Sequence, residues 1–526
     1  MLHKFYVVAE DAVSKNTLKQ ELVSEQGSEV IPARPVDVID DMPHSNHNAV
    51  MMLTQDEANA LMSDLRIVDV HRDPYEMGVI KRHTGVRPAS YSKSSTANVN
   101  NKNWGLLRSV STNNNFGLNT TVSSSVPYNL DGTGVDIVVI DTGVEPNHPE
   151  FAANADGTGG SRVVDYDWSQ HGIMSTPTGG FLGDCDGHGS NCSSIAAGNT
   201  CGWATGAAIY SLRSVGSGEV TETDITDGRI LGIVDDFQVW QTIRAFHNAK
   251  SVDPTTGYKR PTVVNCSFGF IITYNSVTDI NYRGSATGAT TTTAIYGTIG
   301  IPQGGSGQHG FRYSSLEAEI ASTMAAGVIV IAAAGNDSHK MDVSGGLDYN
   351  NYWTSYNGFS NFYHRGATPA GTVNVITVGC IAAFANNNVN PEHKRAFSCA
   401  GPKVDIWAPG DYIMGAYANA AYASVAVADS RSATMNTGYT YYLNAISGTS
   451  QACPQVVGML ACVLQARPWM NQQDCRNFLT AYNSDWPVNE AYYGGTGYTD
   501  FGSLQGGPAK ALYQPFNLAD PLTIRS

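Results

Sequence analysis

The sequence predicts an α/β fold, a mainly parallel sheet with helices on both faces, preceded by a small α+β unit of ferredoxin-like order. Three observations predict it. Uninterrupted Val/Ile-rich runs recur between Val135 and Gly410: VDIVVID, AIYSL, PTVVNCS, GVIVIAAA, VNVITVG and VDIWAPG. A strand buried on both faces needs apolar side chains pointing both ways, which is the pattern of a parallel sheet covered by helices on each side. Helical periods fall between the runs: Val239, Trp240, Ile243 and Phe246 share one face, and SSLEAEIASTMAAG precedes GVIVIAAA, with Gly327 placed to stop that helix. Finally, the N-terminal segment runs through strand, helix and strand twice over.

In that first unit HKFYVVAE reads as strand, SKNTLKQELVSEQG as helix and SEVIPARPVDVID as strand. AVMMLT is the next strand. Thr54 and Glu57 form a capping box ahead of the helix QDEANALMSDL, and RIVDVHRD closes the unit as a strand. This split order is about the smallest arrangement that buries one sheet face beneath two helices. It gives a first domain over residues 1–78. Residues 79–102 turn basic and then Ser/Asn-rich with no sustained period, as expected of a solvent-exposed linker open to proteolysis. Residues 103–526 form the large domain.

At 526 residues and 56.1 kDa, with 42% hydrophobic and 15% charged residues, the chain has material for a large core and an appendage. A net charge of -15 and a pI near 5.2 exclude nucleic acid and an anionic membrane as principal partners, since both need clustered cations. No stretch has the length of a transmembrane helix. Met1 leads into LHKFYVVAEDAVSK, which lacks the features of a signal peptide, so a cytoplasmic or particle-associated location is favoured over ordinary secretion. Cys266, Cys380, Cys453 and Cys462 sit in apolar runs and read as buried free thiols. Cys185, Cys192 and Cys201 match no zinc spacing, and one local disulfide is the alternative there.

In an open parallel sheet, working polar residues collect past the carboxyl ends of the strands. Asp141 ends VDIVVID, Ser267 follows PTVVNC, and Asn336 follows GVIVIAAAG. Ser450 lies in ISGTSQACP, where a helix rich in Met459, Leu460, Val463 and Leu464 begins. Singly, each has a plain structural reading. Asp141-Thr142-Gly143 suits a turn after a strand; an aspartic-protease site would need a second such carboxylate motif, and none occurs. His188 lies between two glycines in DCDGHGSNCSSIAAG, where a lone histidine is more often structural, and Asp184 and Asp186 read equally as solvated carboxylates or cation ligands. Ser450 suits a helix cap, with Pro454 harmless in a first turn. Their joint occurrence in the chain order Asp, His, Ser, with Asn336 between the last two, outweighs these separate readings.

The segments DTGVEPNHPEF, DGHGSNCSSIAAG, AAAGND and SGTSQACP resemble the subtilisin-like serine proteases, or subtilases, whose triad has this chain order. The resemblance covers most of the chain from Trp104 onward. NWGLLR is similar to the strand that opens mature members, and VVNCSFG and VDIWAPG match further. MLTQDEANALMSDLRIVDVHRD makes the N-terminal unit similar to the family's inhibitory prosegment.

The resemblance implies a serine endopeptidase made as a self-inhibited zymogen, with protein or peptide substrates and its own prosegment as partners. Ser450 would be the nucleophile, His188 the base and Asp141 the group that orients it. The Asn336 amide and the Ser450 backbone N–H would hold the oxyanion. Ser267, Phe268, Gly269, Ala333, Ala334 and Gly335 would line the substrate cleft. The chemistry needs no cofactor or metal, and a structural calcium is left open without a ligand set. An ordinary imidazole would make activity rise between about pH 6 and 7.

Gln451 stands where members carry Met, Cys453 takes a small-residue position, Phe270 replaces a glycine, and Ile271 to about Gly310 is inserted. The alternative reading is a structural or particle-associated protein that keeps a protease fold with limited or self-directed cleavage. Another reads the N-terminal unit as an accessory binding domain.

Overall fold

The computed structural model describes residues 1–24, 34–41, 48–72, 85–92, 102–111, 121–177, 180–184, 186–215, 236–274, 277–288, 308–355, 360–383, 392–417, 427–432, 439–485 and 504–513. The chain divides into one unit of Met1–His83 with Ser251–Lys259 and another of Thr84–Lys250 with Arg260–Ser526.

The smaller unit contains β1 (His3–Ala9), α1 (Ala12–Leu22), β2 (Asp37–Asp40), β3 (Asn48–Leu53), α2 (Gln55–Leu61) and β4 (Ile67–Arg72). Its strands lie in the order β2-β3-β1-β4 with every neighbouring pair antiparallel, the two strand-helix-strand halves interleaved. Alternation along β1 turns Phe5, Val7 and Ala9 inward. Phe5 and Val7 join Leu18 and Leu22 of α1 and Ala58 and Leu61 of α2 in one core. The capping box is present: the Thr54 side chain accepts from Glu57 N, and the Glu57 carboxylate accepts from Thr54 N. Residues 25–33, between α1 and the second strand, lie outside the described residues.

In the larger unit, β5 (Gly85–Ser92) pairs antiparallel with β6 (Thr121–Tyr128). These eight residues fall in the stretch read above as linker, where Gly85 and Pro88 carry loop signals. NWGLLR, read above as similar to a strand, is a helix instead. It forms α3 (Trp104–Ser109), because the Asn103 side chain accepts from Gly105 N at 2.8 Å and caps the first turn. Every residue of α3 is buried, with Trp104 Nε1 donating to the Asp411 carbonyl at 3.0 Å and Arg108 gripping the Glu392 carboxylate. So short an apolar run carries no usable period.

The main sheet is built from β7 (Asp136–Asp141), β8 (Ala208–Arg213), β9 (Thr262–Cys266), β10 (Ile329–Ala333), β11 (Ile376–Ile381), β12 (Ile406–Pro409), β13 (Asn483–Asp485) and β14 (Lys510–Leu512), in the spatial order β13-β14-β12-β11-β10-β9-β7-β8. All neighbours are parallel except the edge pair β13 and β14. From β7 the chain goes to β8 on one side and then to β9 on the other, so β7 is the topological switch point. Between these strands lie α4 (His188–Ala197), α5 (Asp236–Ala249), α6 (Ser314–Ala325), α7 (Thr449–Ala466) and α8 (Gln472–Ala481).

Val138, Ile140, Val264 and Val330 face a layer formed by Val239, Trp240, Ile243 and Phe246 of α5 with Leu316 and Ile320 of α6. Ile137, Val139, Val263, Ile329 and Ile331 are buried too, and alternation turns them the other way. There α7, with every residue buried, packs across β9 to β12. Part of the insertion pairs with residues 352–355, which pair with 360–362, to build a small sheet with a core in which Val277 and Ile280 meet Trp353 and Tyr363; residues 289–307 lie outside the described ones. All the described cysteines are free and buried, including Cys192 and Cys201, whereas Cys185 is not described. Among the described residues no helix is long and apolar enough to cross a membrane.

Candidate active site

Asp141 sits at the carboxyl end of β7, and His188 opens α4. His188 Nδ1 lies 2.7 Å from Asp141 Oδ1, which also accepts from Thr142 N at 2.8 Å. This close approach depends on glycines. A Cβ on Gly143 would stand 1.9 Å from the Gly183 carbonyl oxygen, and one on Gly189 would stand 2.0 Å from that of Gly143. Burial disfavours the imidazolium of His188, but the Asp141 carboxylate outweighs it, and the pKa lies well above the ordinary value. The histidine is therefore perturbed, unlike the ordinary imidazole expected from sequence.

Ser450 is the second residue of α7. Its hydroxyl donates to the Ser267 carbonyl at 3.0 Å, and no hydrogen bond joins it to His188 among the described residues. Catalytic hydrogen bonds in unliganded sites are often loose. Pro454 lies a full turn beyond Ser450 and not in the first turn, so it withholds the N–H that would normally bond the Ser450 carbonyl. Two side chains fill the gap: Ser267 Oγ donates to that carbonyl at 2.9 Å and Cys192 Sγ at 3.3 Å. Cys192 stands one turn after His188 on α4, with Sγ 4.0 Å from His188 Nε2. Thus the serine and the histidine both pack on one thiol.

Asn336 is held by its carbonyl. Oδ1 accepts from Thr449 N at 3.0 Å and from Thr449 Oγ1 at 2.9 Å, leaving Nδ2 without a partner among the described residues. Ser450 N is equally without one. A Cβ on Gly448 would stand 2.8 Å from Gln451 Oε1, 3.5 Å from Ser450 N and 3.6 Å from Asn336 Nδ2, so both donors lie close to one point beside this glycine. The N-terminus of α7 adds its positive end there.

Ser267, Phe268, Gly269, Ala333, Ala334, Gly335, Asn336 and Ser450 line one cavity of about 190 Å³. Ile271 and Gly310 from the insertion, with Met341 and Tyr363, contribute further wall. Asp141 and His188 are not among its lining residues. Sequence reasoning missed the supporting residues Thr142, Thr449 and Cys192; only the spacing of Cys192 from His188, four residues along one helix face, offered a signal. The ambiguity over Asp184 resolves into an inward acceptor bonded to Thr142 Oγ1 and to backbone N–H groups.

Asp141, His188 and Cys192 each offer a ligand atom within 4.8 Å of the others, and no other such group of His, Cys, Asp or Glu occurs among the described residues. Elsewhere buried carboxylates face protein cations: Asp348 meets Arg283 and Lys340, Asp136 meets Lys250 and Arg260, and Glu392 meets Arg108.

Residues 132–492 match the model of the subtilase family. The chain belongs to the subtilase family. It is 26% identical over 409 residues to the subtilisin-like serine protease Cur l 4.0101 of Cochliobolus lunatus, covering 77% of this chain and 57% of that protein. The extracellular serine proteinase of Thermus sp. strain Rt41A is 24% identical over 367 residues, or 69% of this chain and 58% of that one. Alkaline protease 2 of Aspergillus fumigatus is 26% identical over 340 residues, or 64% and 46%. This subtilase therefore spans about half to three-fifths of the length of the curated relatives it matches. A crystal structure of a cold adapted subtilisin-like serine proteinase aligns over 79% of this chain and 99% of its own, at 20% identity and a TM-score of 0.46.

Proposed function

We propose that this subtilase is a serine endopeptidase that hydrolyses peptide bonds through an acyl-enzyme on Ser450, without a cofactor. The observation that carries this reading is that Ser450 N and Asn336 Nδ2, both unpartnered among the described residues, lie close to one point beside Gly448, and that Ser450 and Asn336 line one cavity. Donors fixed in advance where charge develops are the largest single contribution to acyl transfer. Ser450 Oγ–H turns from the Ser267 carbonyl to His188 Nε2, gives up its proton and attacks the substrate carbonyl carbon. The carbonyl oxygen, now negative, sits between the two donors. Asp141 holds the imidazole with Nδ1 protonated and stabilises the cation. His188 then passes the proton to the leaving amine, and water repeats the sequence to release the acid.

Peptide backbone would run extended along Ser267–Gly269 and Ala333–Gly335, with one side chain in the cavity. The N-terminal unit, which has its own core, would act as the inhibitor of a zymogen. Ser450→Ala should abolish cleavage of denatured protein while leaving the fold intact by circular dichroism, and a fluorophosphonate should label Ser450 alone. Labelling at another residue, or undiminished cleavage by Ser450→Ala, would overturn the reading.

A further inference from the structure

Asp141 and His188 arrive from different elements, and little besides their own contact fixes the Asp141 carboxylate. Its Oδ1 takes Thr142 N and His188 Nδ1, while Oδ2 has no partner among the described residues. The strand end and the helix start are held together instead through a neighbouring carboxylate. Asp184 Oδ1 accepts from Thr142 Oγ1 at 2.7 Å, Asp186 N at 3.0 Å and Gly187 N at 2.7 Å, and Oδ2 accepts from Ser190 N at 2.8 Å. Thr142 Oγ1 in turn accepts from Gly189 N at 2.9 Å. One carboxylate thus grips the residue after Asp141 and backbone on both sides of His188.

The arrangement also supplies what α4 lacks. Its N-cap, Gly187, has no side chain to bond the first-turn N–H groups, and Asp184 does so from outside the helix. Among the described residues Asp186, the other nearby carboxylate, accepts only from His188 N, at 3.2 Å, and so ties its own loop.

We propose that Asp184 is a positioning residue for the reaction, setting the Asp141–His188 contact through Thr142 and the N-terminus of α4. The inference rests on the reading of His188 as the base. An amide cannot replace the carboxylate, because its NH2 would face N–H or O–H donors in either orientation.

The test uses the full chain with Asp184→Asn, Thr142→Val and Thr142→Ser. Asp184→Asn and Thr142→Val should lower kcat on the order of tenfold to a hundredfold, as for a small misplacement of reacting groups, with KM nearly unchanged. Thr142→Ser, which keeps the hydroxyl, should stay near the parent. In a Ser450→Ala background, NMR titration of His188 should show its pKa falling toward about 6.5 in the first two variants. Parent-like kcat and an unmoved His188 titration in both, whatever their melting temperatures, would reduce Asp184 to a fold-stabilising residue and overturn the proposal. Should Asp184→Asn fail to fold, Thr142→Val alone decides. A parent without turnover would count against the endopeptidase reading only, since the titration still reports on Asp184.

Discussion

His188 sets how the site should respond to pH. As a base it works only when neutral, and its pKa is raised, so the acid limb of kcat/KM should lie above the ordinary imidazole value of about 6.5. Asp141→Asn should bring the limb back toward that value while cutting kcat severely; a limb at or below about pH 6.5 in the parent would contradict the assignment. The same linkage has a stability side. Protonated His188 stabilises the folded chain fully below its unfolded pKa, and that contribution is lost as pH rises through the raised folded value. Thermal unfolding of Ser450→Ala across this range should read it. At Asn336, removal of the side chain to Ala should lower kcat on the order of 10²–10³-fold, a figure established on subtilisin and not on this chain. KM should change little, because the donor acts on charge that appears only in the transition state.

At the scale of elements, the site depends on how closely β7, the loop before α4 and α7 approach one another. Gly143 adopts φ +113°, and its missing Cβ is what admits the Gly183 carbonyl. Gly143→Ala should therefore push the loop before His188 off the strand end, and activity should fall well before the chain loses its circular dichroism. The α3 element is anchored by an ion pair of a different kind, Arg108 with Glu392, both almost wholly removed from water. Taking one partner from such a pair typically costs about 3–5 kcal/mol. Glu392→Gln should reduce unfolding stability by an amount of that order in denaturant titrations, with the catalytic geometry of surviving folded molecules unaltered.

On the scale of the whole molecule, the chain is two units with separate cores, one around Phe5, Leu18 and Leu61 and one spanning the large sheet. If the smaller is an inhibitory prosegment, the purified parent should be found severed between the two by mass spectrometry. Ser450→Ala should stay intact. Added as a separate polypeptide, the smaller unit should inhibit the larger; unchanged activity would remove that assignment.

Strands β7 and β9 to β12 were legible because each is buried on both faces and so must be apolar throughout, and β8, at one edge and only partly buried, was legible from its apolar run; β13 and β14, short and at the other side, carry no such mark. The capping box at Thr54 was legible because its chemistry is local. NWGLLR and β5 were not, since so short a run suits helix or strand equally, and Gly85 and Pro88 give β5 the look of a loop. By itself the sequence determined which residue types occupy the ends of the strands, in an order that identifies the family. Only the tertiary structure decided that Ser267 and Cys192 satisfy the carbonyl exposed by Pro454, that Asn336 is turned by Thr449, and that Asp184 ties Thr142 to α4. The reason is physical: a hydrogen bond depends on distance and direction between atoms that here lie from 42 to 258 residues apart, and sequence specifies these only through the packing of everything between.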